Sequence, residues 1–369
     1  MRKLSYLVMM LLAITARAEE RNLWKQLFTP KEGVILETPE VTIEKPKEPL
    51  VERVPEHILN GNDRFLTLNI ENDKFGSGYD RDYTNGLRIT WFNVGAEQPF
   101  YADWIDRLVP TFDANKTTST YLSFGHNLYT PSDIDRGTLD VRDRPYAAFL
   151  YGSAGISTIT DRHMDDVELT LGWIGPSAQG EFIQDKFHRL IHADYLPHGW
   201  KYQLRDEPGI ILSWERSWPG WYTADIGKNL HARFAPHGGV TLGNVYTYAN
   251  AGFTIDLTPS NLRWQTQPVR VRPAIPGSGY FEYTDGHGWM TYLGYDARLM
   301  AHNIFLDGNT WKDSHHVKRR PFVHDLALGA AYNHKNFRIS YTVNWRSREF
   351  KSPLAKSSSF GAVSVGYRF

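Results

Sequence analysis

The sequence predicts an all-β protein: a closed transmembrane antiparallel β-barrel of about twelve strands, with a short helix in an extracellular loop. Three observations carry this expectation. The chain stops on an alternating strand, Phe360–Phe369, in which Val363, Val365, Tyr367 and Phe369 share one face while Ala362, Ser364, Gly366 and Arg368 share the other. A strand in that position needs partners on both edges, and closing a barrel supplies them. The N-terminus reads as an export signal, yet no later apolar run is long enough for a spanning helix. Finally, aromatic residues make up 14% of the chain and mean hydropathy is negative, which suits aromatic girdles around a polar lumen.

Taken in order, the chain opens with Arg2 and Lys3, an apolar run Leu7–Ile14, and Ala16-Arg17-Ala18. This is a signal peptide over residues 1–18, cleaved after Ala18. Residues 19–60 are rich in Pro, Glu and Lys with little periodicity, and read as a periplasmic extension or linker. The barrel is expected over residues 61–369. Basic and acidic residues number 41 each, and loss of Arg2, Lys3 and Arg17 leaves 38 against 41. Nothing in that balance indicates nucleic acid. With no cysteine, neither disulfides nor thiolate metal sites are available.

Alternating segments lie near 64–72, 84–94, 119–128, 146–158, 164–174, 208–218, 221–236, 239–257, 288–302, 322–333, 336–348 and 360–369. Leu87, Ile89 and Trp91 oppose Arg88 and Thr90. Phe337, Ile339, Tyr341, Val343 and Trp345 oppose Arg338, Ser340, Thr342, Asn344 and Arg346. Five polar residues on one face need a hydrated or hydrogen-bonded interior. An even count puts both termini at the periplasmic side. Short turns are then expected at 159–163, 219–220 and 334–335, and outer loops near 73–83, 129–145, 175–207, 303–321 and 349–359. The connections 95–118 and 258–287 are long for periplasmic turns. A closed barrel hides its own edges, so a monomer is expected.

One outer loop carries a helical pattern over Gln179–Ala193, with Ile183, Phe187 and Leu190 on one stripe, Ile191 near it, and Gln184 and His188 at its border. Its apolar face should pack on barrel or lipid.

Several groups are candidates for chemistry. Glu71-Asn72-Asp73 ends the first strand and Thr84 opens the second; parity places Glu71, Asp73 and Thr84 inward. Oxygen donors at adjoining strand ends suit Ca²⁺, and they equally suit a solvated acidic loop. His188 is a candidate general base if water reaches it, and otherwise a packed histidine. His188 and His192 form H-x-x-x-H, which is the weaker fit to zinc because the glutamate of H-E-x-x-H is missing. Asp194 either orients His188, binds metal or ends the helix. No G-x-S-x-G elbow is present, and Ser153 reads as a packing residue. Gly277-Ser278-Gly279 lacks a phosphate-binding context, and Ser314-His315-His316 reads as a solvated loop.

Ordered along the chain stand Asn72-Asp73, Asp82-Tyr83-Thr84-Asn85-Gly86, Tyr129-Thr130-Pro131-Ser132 and Asp143-Arg144-Pro145-Tyr146-Ala147-Ala148-Phe149-Leu150. Then come Ile174-Gly175-Pro176, Gln184-Asp185-Lys186-Phe187-His188-Arg189, Gly243-Asn244-Val245-Tyr246-Thr247-Tyr248 and Asn303-Ile304-Phe305-Leu306-Asp307-Gly308-Asn309. In these pieces residues 64–369 resemble the outer-membrane lipid A 3′-O-deacylase family. The resemblance implies a twelve-stranded barrel with a Ca²⁺-dependent site between the wall and the loop helix. It implies hydrolysis of the ester holding the 3′-acyloxyacyl group of lipid A, in lipopolysaccharide of the outer membrane. Asn72, Asp73, Thr84, Gln184 and His188 match the family's site pattern: His188, Asn72, Thr84 and Gln184 for catalysis, Asp73 for metal. Asp194 stands where family members can have glutamate. Arg136 or Arg142 takes the place of a basic loop residue for the lipid A phosphates. The alternatives are an outer-membrane phospholipase and a non-catalytic porin or structural barrel.

Overall fold

The computed structural model describes residues 51–369, apart from 52–53, 55, 60–62, 76–81, 95–100, 110–111, 191–196, 228, 260–270, 272–279 and 282–286. The signal peptide, most of the N-terminal extension, His192, Asp194 and Gly277-Ser278-Gly279 lie outside the described residues.

The strands are β1 Arg64–Asn72, β2 Asp82–Asn93, β3 Ser119–Thr130, β4 Ala147–Ile159 and β5 Met164–Ile174. They continue with β6 Glu207–Ser217, β7 Tyr222–Gly227, β8 Leu230–Gly243 and β9 Tyr246–Thr258. The last four are β10 His287–Asn303, β11 Phe322–His334, β12 Phe337–Arg346 and β13 Ser358–Arg368. Each pairs antiparallel with its neighbours. The terminal strand β13 pairs with both β12 and β1, so the chain end leaves no open edge. The other closure joins β6 to β8, from Ile211↔Gly243 to Ser217↔His237.

These thirteen segments fill twelve wall positions, because β6 and β7 lie end to end against the same β8. The count agrees with the sequence, but two boundaries do not. The expected turn at 219–220 is a bend inside one long wall strand, made by Pro219 and by Gly220 at φ 63°. The hairpin turn lies between β7 and β8 instead. The gap expected at 237–238, between segments 221–236 and 239–257, sits within β8; a Cβ at the neighbouring Gly239 would come within 2.4 Å of the Trp214 carbonyl. Both errors share a cause: Pro and Gly mark bends and close approaches as well as turns.

The lumen is filled. Arg88 of β2 meets Glu168 of β5 at 2.6 Å with both side chains fully buried. Asp325 is bound by Arg346 through two bonds of 2.9 Å and by Arg298 at 2.7 Å. The polar face of β12, Arg338 to Arg346, is buried as expected. Towards the outer rim Tyr83, Tyr129, Phe149, Tyr246, Phe305 and Phe360 form an apolar plug, in which Tyr129 and Phe305 stack at 4.0 Å. At the rim holding the termini, periplasmic by the usual rule, Phe65, Phe92 and Tyr121 pack with Val54 and Ile58.

The two long connections are accounted for. From the β9–β10 connection, Val271 lies in the lumen, donating to Glu71 Oε1 at 3.1 Å and accepting from Tyr151 Oη at 2.6 Å. Phe281 packs on Phe65 at 5.1 Å. From the β2–β3 connection, a helix at Ala102–Leu108 and Phe112 cover Ile156 and Val167 on the outer wall.

Candidate active site

The outward face of β3 changes character along its length. Leu122 and Phe124 are 63% and 54% exposed; His126, Leu128 and Thr130, further along the same face, are 5%, 1% and 0% exposed. The cover is the loop between β5 and β6. Gly175 takes φ 102°, Pro176 opens a short 3₁₀ turn through Ala178, and helix α1 (Gly180–Leu190) follows. Pro at the first position suits a helical start, since its missing N–H would have no partner there.

The helix is held down at several points. His126 Nε2 bonds the Ala178 carbonyl at 2.8 Å. Leu128, Tyr146, Ala148, Ala178 and Trp200 form one cluster. Gly180 lies so close that a Cβ would sit 2.5 Å from Trp200 and 2.6 Å from Ala148.

Of the two surfaces expected for the apolar stripe, barrel or lipid, the helix does not use the barrel wall. Ile183 is exposed and Phe187 half-buried, whereas Gln184 and His188 are 1% and 2% exposed. The side chain of Leu190 lies outside the described residues. The helix turns its polar pair to the wall and apolar Phe182 and Ile183 away from it. In a bilayer the usual logic of an amphipathic helix is relaxed, because lipid also accepts an apolar face. Trp200 donates from Nε1 to Gln184 Oε1 at 2.8 Å. That fixes the amide's orientation, and Gln184 Nε2 is buried with no hydrogen-bond partner among the described residues.

Across β3 from the helix lie the ends of β1 and β2. Asn72 donates from Nδ2 to the Thr84 carbonyl at 3.1 Å and accepts from the Lys74 N–H at 2.9 Å. Thr84 and Thr130 share a hydroxyl–hydroxyl bond of 2.6 Å. Glu71 points into the barrel, as expected. Thr84 does not. The β2–β3 register slips between Tyr83 and Asn85, so Thr84 is the extra residue of a β-bulge. A bulge reverses the faces beyond it: Tyr83 joins the lumen plug while Thr84 meets the outward Thr130. Asp73 is buried in the 3₁₀ turn Asp73–Phe75.

Thus β3 presents His126, Leu128 and Thr130 in a row, with α1 anchored at one end and the Asn72–Thr84 corner at the other. His126, Thr130 and Trp200 were not singled out from sequence. Only Thr130 left a trace, in Tyr129-Thr130-Pro131-Ser132.

Arg136 and Arg142 remain at the loop edge, 46% and 61% exposed, both paired with Asp140 at 2.6 and 2.8 Å. Hydrogen bonds from Arg142 hold the Asp140 carboxyl well below the usual range, with Arg136 adding its charge. Both line a hollow of about 150 Å³ with Tyr146, Gly199 and Tyr202, the last two flanking Trp200. Arg144 is buried instead, over the Tyr129 ring and 3.1 Å from Glu349. His315 is not solvated as expected; its Nε2 bonds the Asp143 carbonyl at 2.6 Å and pins that loop. Ser153 is buried against Thr170 in the lumen.

The sequence matches the family model described as outer membrane protein LpxR over residues 52–369. The chain belongs to the LpxR outer membrane protein family. Among solved structures, LpxR from Salmonella typhimurium superposes with a TM-score of 0.65 at 20% identity, covering 82% of this chain and 99% of that one. That likeness shows the shared barrel fold. The β domain of the Bordetella autotransporter BrkA and the KdgM porin give TM-scores of 0.36 and 0.33, each at 7% identity, with 83% of this chain and 97% and 99% of theirs covered. No curated protein sequence matches. The LpxR family assignment makes this an outer-membrane protein, in agreement with a barrel whose outward strands carry exposed Leu, Ile, Trp and Phe.

Proposed function

We propose that this LpxR family member is an outer-membrane esterase that hydrolyses the 3′-acyloxyacyl ester of lipid A, with His188 as general base. One observation carries the reading: the buried polar pair Gln184 and His188 faces the outer wall of the barrel, not its lumen. An amphiphile anchored in the leaflet reaches an outer wall without leaving the membrane.

His188 takes a proton from water, and the resulting hydroxide adds to the ester carbonyl. The tetrahedral intermediate collapses by releasing the sugar 3′ oxygen, which recovers the proton from His188. The products are a free acyloxyacyl acid and a 3′ hydroxyl. Because Trp200 donates to Oε1 of Gln184, the buried Nε2 is the amide atom left with hydrogens to give. Gln184 therefore supplies a donor to the carbonyl oxygen as negative charge builds.

The family resemblance also implies Ca²⁺. Asn72, next to Asp73 in the chain, reaches the Thr84 carbonyl, and Thr84 shares a hydroxyl bond with Thr130, so this corner offers oxygen atoms of the kind a hard cation takes. Among the described residues no three His, Cys, Asp or Glu side chains converge as a metal site, so Asp73 would hold the ion largely with neutral oxygens. When bound, Ca²⁺ supplies Lewis-acid stabilisation of the carbonyl oxygen. Asp194 remains a proposed further ligand. Arg136 and Arg142 are the proposed contacts for lipid A phosphates.

The filled lumen, with Arg88–Glu168 at its middle and an aromatic plug at its outer end, supports an enzyme over a porin. The deciding measurement is mass spectrometry of lipid A from cells expressing the wild type or His188→Ala. Loss of the 3′-acyloxyacyl mass is expected only in the wild type, by a factor of at least about 100 in rate, with both proteins folded. Equal deacylation by the variant would remove His188 from the role. Release of glycerophospholipid acyl chains instead would favour a phospholipase, and channel conductance without hydrolysis a pore.

A further inference from the structure

At the opposite, periplasmic rim, β10 begins at His287 and β11 ends at His334, and these two residues are direct cross-strand partners. Both belong to the outward face. Trp289 and Tyr332 beside them are exposed, while the alternate residues Met290, Ala331 and Asn333 are buried. His287 Nδ1 lies 3.1 Å from His334 Nδ1 and 2.5 Å from Tyr332 Oη. The two imidazoles stack with centroids 4.5 Å apart, tilted by 24°.

His334 Nδ1 and Tyr332 Oη thus both lie against His287 Nδ1. A single hydrogen can bridge the two facing ring nitrogens, whereas a cation can take a lone pair from each. Two nitrogens bound to one metal at about 2.0–2.1 Å stand about 3.3 Å apart in a tetrahedral site, close to the separation here. Rotation of the exposed His287 ring and the half-buried His334 ring about their side-chain bonds would turn both lone pairs onto one centre. Imidazole and phenolate donors without carboxylate suit Cu²⁺ or Zn²⁺ over Ca²⁺.

We propose that His287, His334 and Tyr332 form a transition-metal site on the periplasmic rim, distinct from the outer-loop site and independent of the hydrolytic reading. The site ties the first residue of β10 to the end of β11. That is the point where the β9–β10 connection, which sends Val271 and Phe281 into the lumen, rejoins the wall. A bound metal there fastens the exit of the lumen segment.

The test is a metal titration of the full-length barrel in detergent, stripped of metal and without a polyhistidine tag. Cu²⁺ alone is followed by electron paramagnetic resonance, and Zn²⁺ alone by calorimetry. The expected result is one equivalent bound, with nitrogen hyperfine structure in the Cu²⁺ spectrum. His287→Asn and His334→Asn should each weaken binding by at least about tenfold, and Tyr332→Phe should weaken it less. All variants should keep heat-modifiable migration. Absence of binding by the wild type overturns the proposal. So does binding of the same stoichiometry and affinity by either single histidine variant. The single substitutions at this exposed rim keep the test decisive if the double variant fails to fold.

Discussion

The two halves of the outward face of β3 make the most instructive comparison in this molecule. Leu122 and Phe124 project outward and are exposed; His126, Leu128 and Thr130 project the same way and are buried. Strand geometry cannot distinguish them, because side chains on one face repeat every second residue without regard to what lies beyond. What differs is the cover. Below, the wall meets hydrocarbon, where only apolar groups are cheap to place. Above, helix α1 and Trp200 roof the wall, and a histidine and a threonine find partners at the Ala178 carbonyl and the Thr84 hydroxyl. Polar groups on the outside of a barrel thus need a protein roof, and the roofed strip is where this chain gathers its candidate chemistry.

The sharpest break of that comparison is Phe124→Arg, which puts a charge on the unroofed half. It should destabilise the barrel by about 2–4 kcal/mol if it lies near the midplane, read as a lower urea midpoint in liposomes. Lipid A deacylation per folded molecule should not change. Next in size, Trp200→Phe keeps the roof's shape but leaves Gln184 Oε1 buried without its donor. A buried acceptor so orphaned costs about 1–3 kcal/mol. If Gln184 acts as proposed, kcat should fall by about tenfold with little change in KM. A matching rise in KM would instead make the contact one of substrate binding.

Smaller still is Thr130→Val, which is close in shape but removes the hydroxyl bonded to Thr84. About 1 kcal/mol is at stake, and turnover should drop a few-fold while the unfolding midpoint barely moves. An unchanged turnover would detach the Thr84 corner from the site. The smallest effect lies in the neighbouring outer loop. Burial alone would raise the Asp307 pKa, but bonds from His302, the Asn303 N–H and Arg319 outweigh it and hold the carboxyl below its ordinary value. A depressed carboxylate stabilises the fold above its unfolded pKa and loses that contribution as pH falls through the lower, folded value. The stability gap between wild type and Asp307→Asn should therefore be full near neutral pH and begin to close only below about pH 4.

Some of the site was readable along the chain and some was not. Asn72, Asp73, Gln184 and His188 fall within short ordered motifs at strand and helix ends. Thr84 was found too, but on the wrong face. Parity counting assumes an unbroken ladder, and the slip between Tyr83 and Asn85 leaves no mark in residue type. The helix was found, and its apolar stripe, expected on barrel or lipid, turns away from the wall while the border residues Gln184 and His188 face it. Ile183 and Phe187 look like a packing stripe to any rule calibrated on water, where an apolar face has only the protein interior to go to. Trp200 was missed because it reaches Gln184 from a separate turn of the same loop, without any periodic spacing.

By itself, the sequence determined the barrel, the number of its wall strands, the pairing of the last strand, and Asn72, Asp73, Gln184 and His188 among the residues gathered at the outer rim. Alternation every second residue and partnered strand edges are local requirements, and they are written in local patterns. Only the tertiary structure decided that Val271 and Phe281 of the β9–β10 connection pack inside the barrel, that Pro219-Gly220 bends a strand instead of ending it, and that the polar side of α1 faces the wall. Each of those depends on which surface lies opposite a residue. In a bilayer that surface is lipid, lumen or loop, and residue type alone does not choose among them.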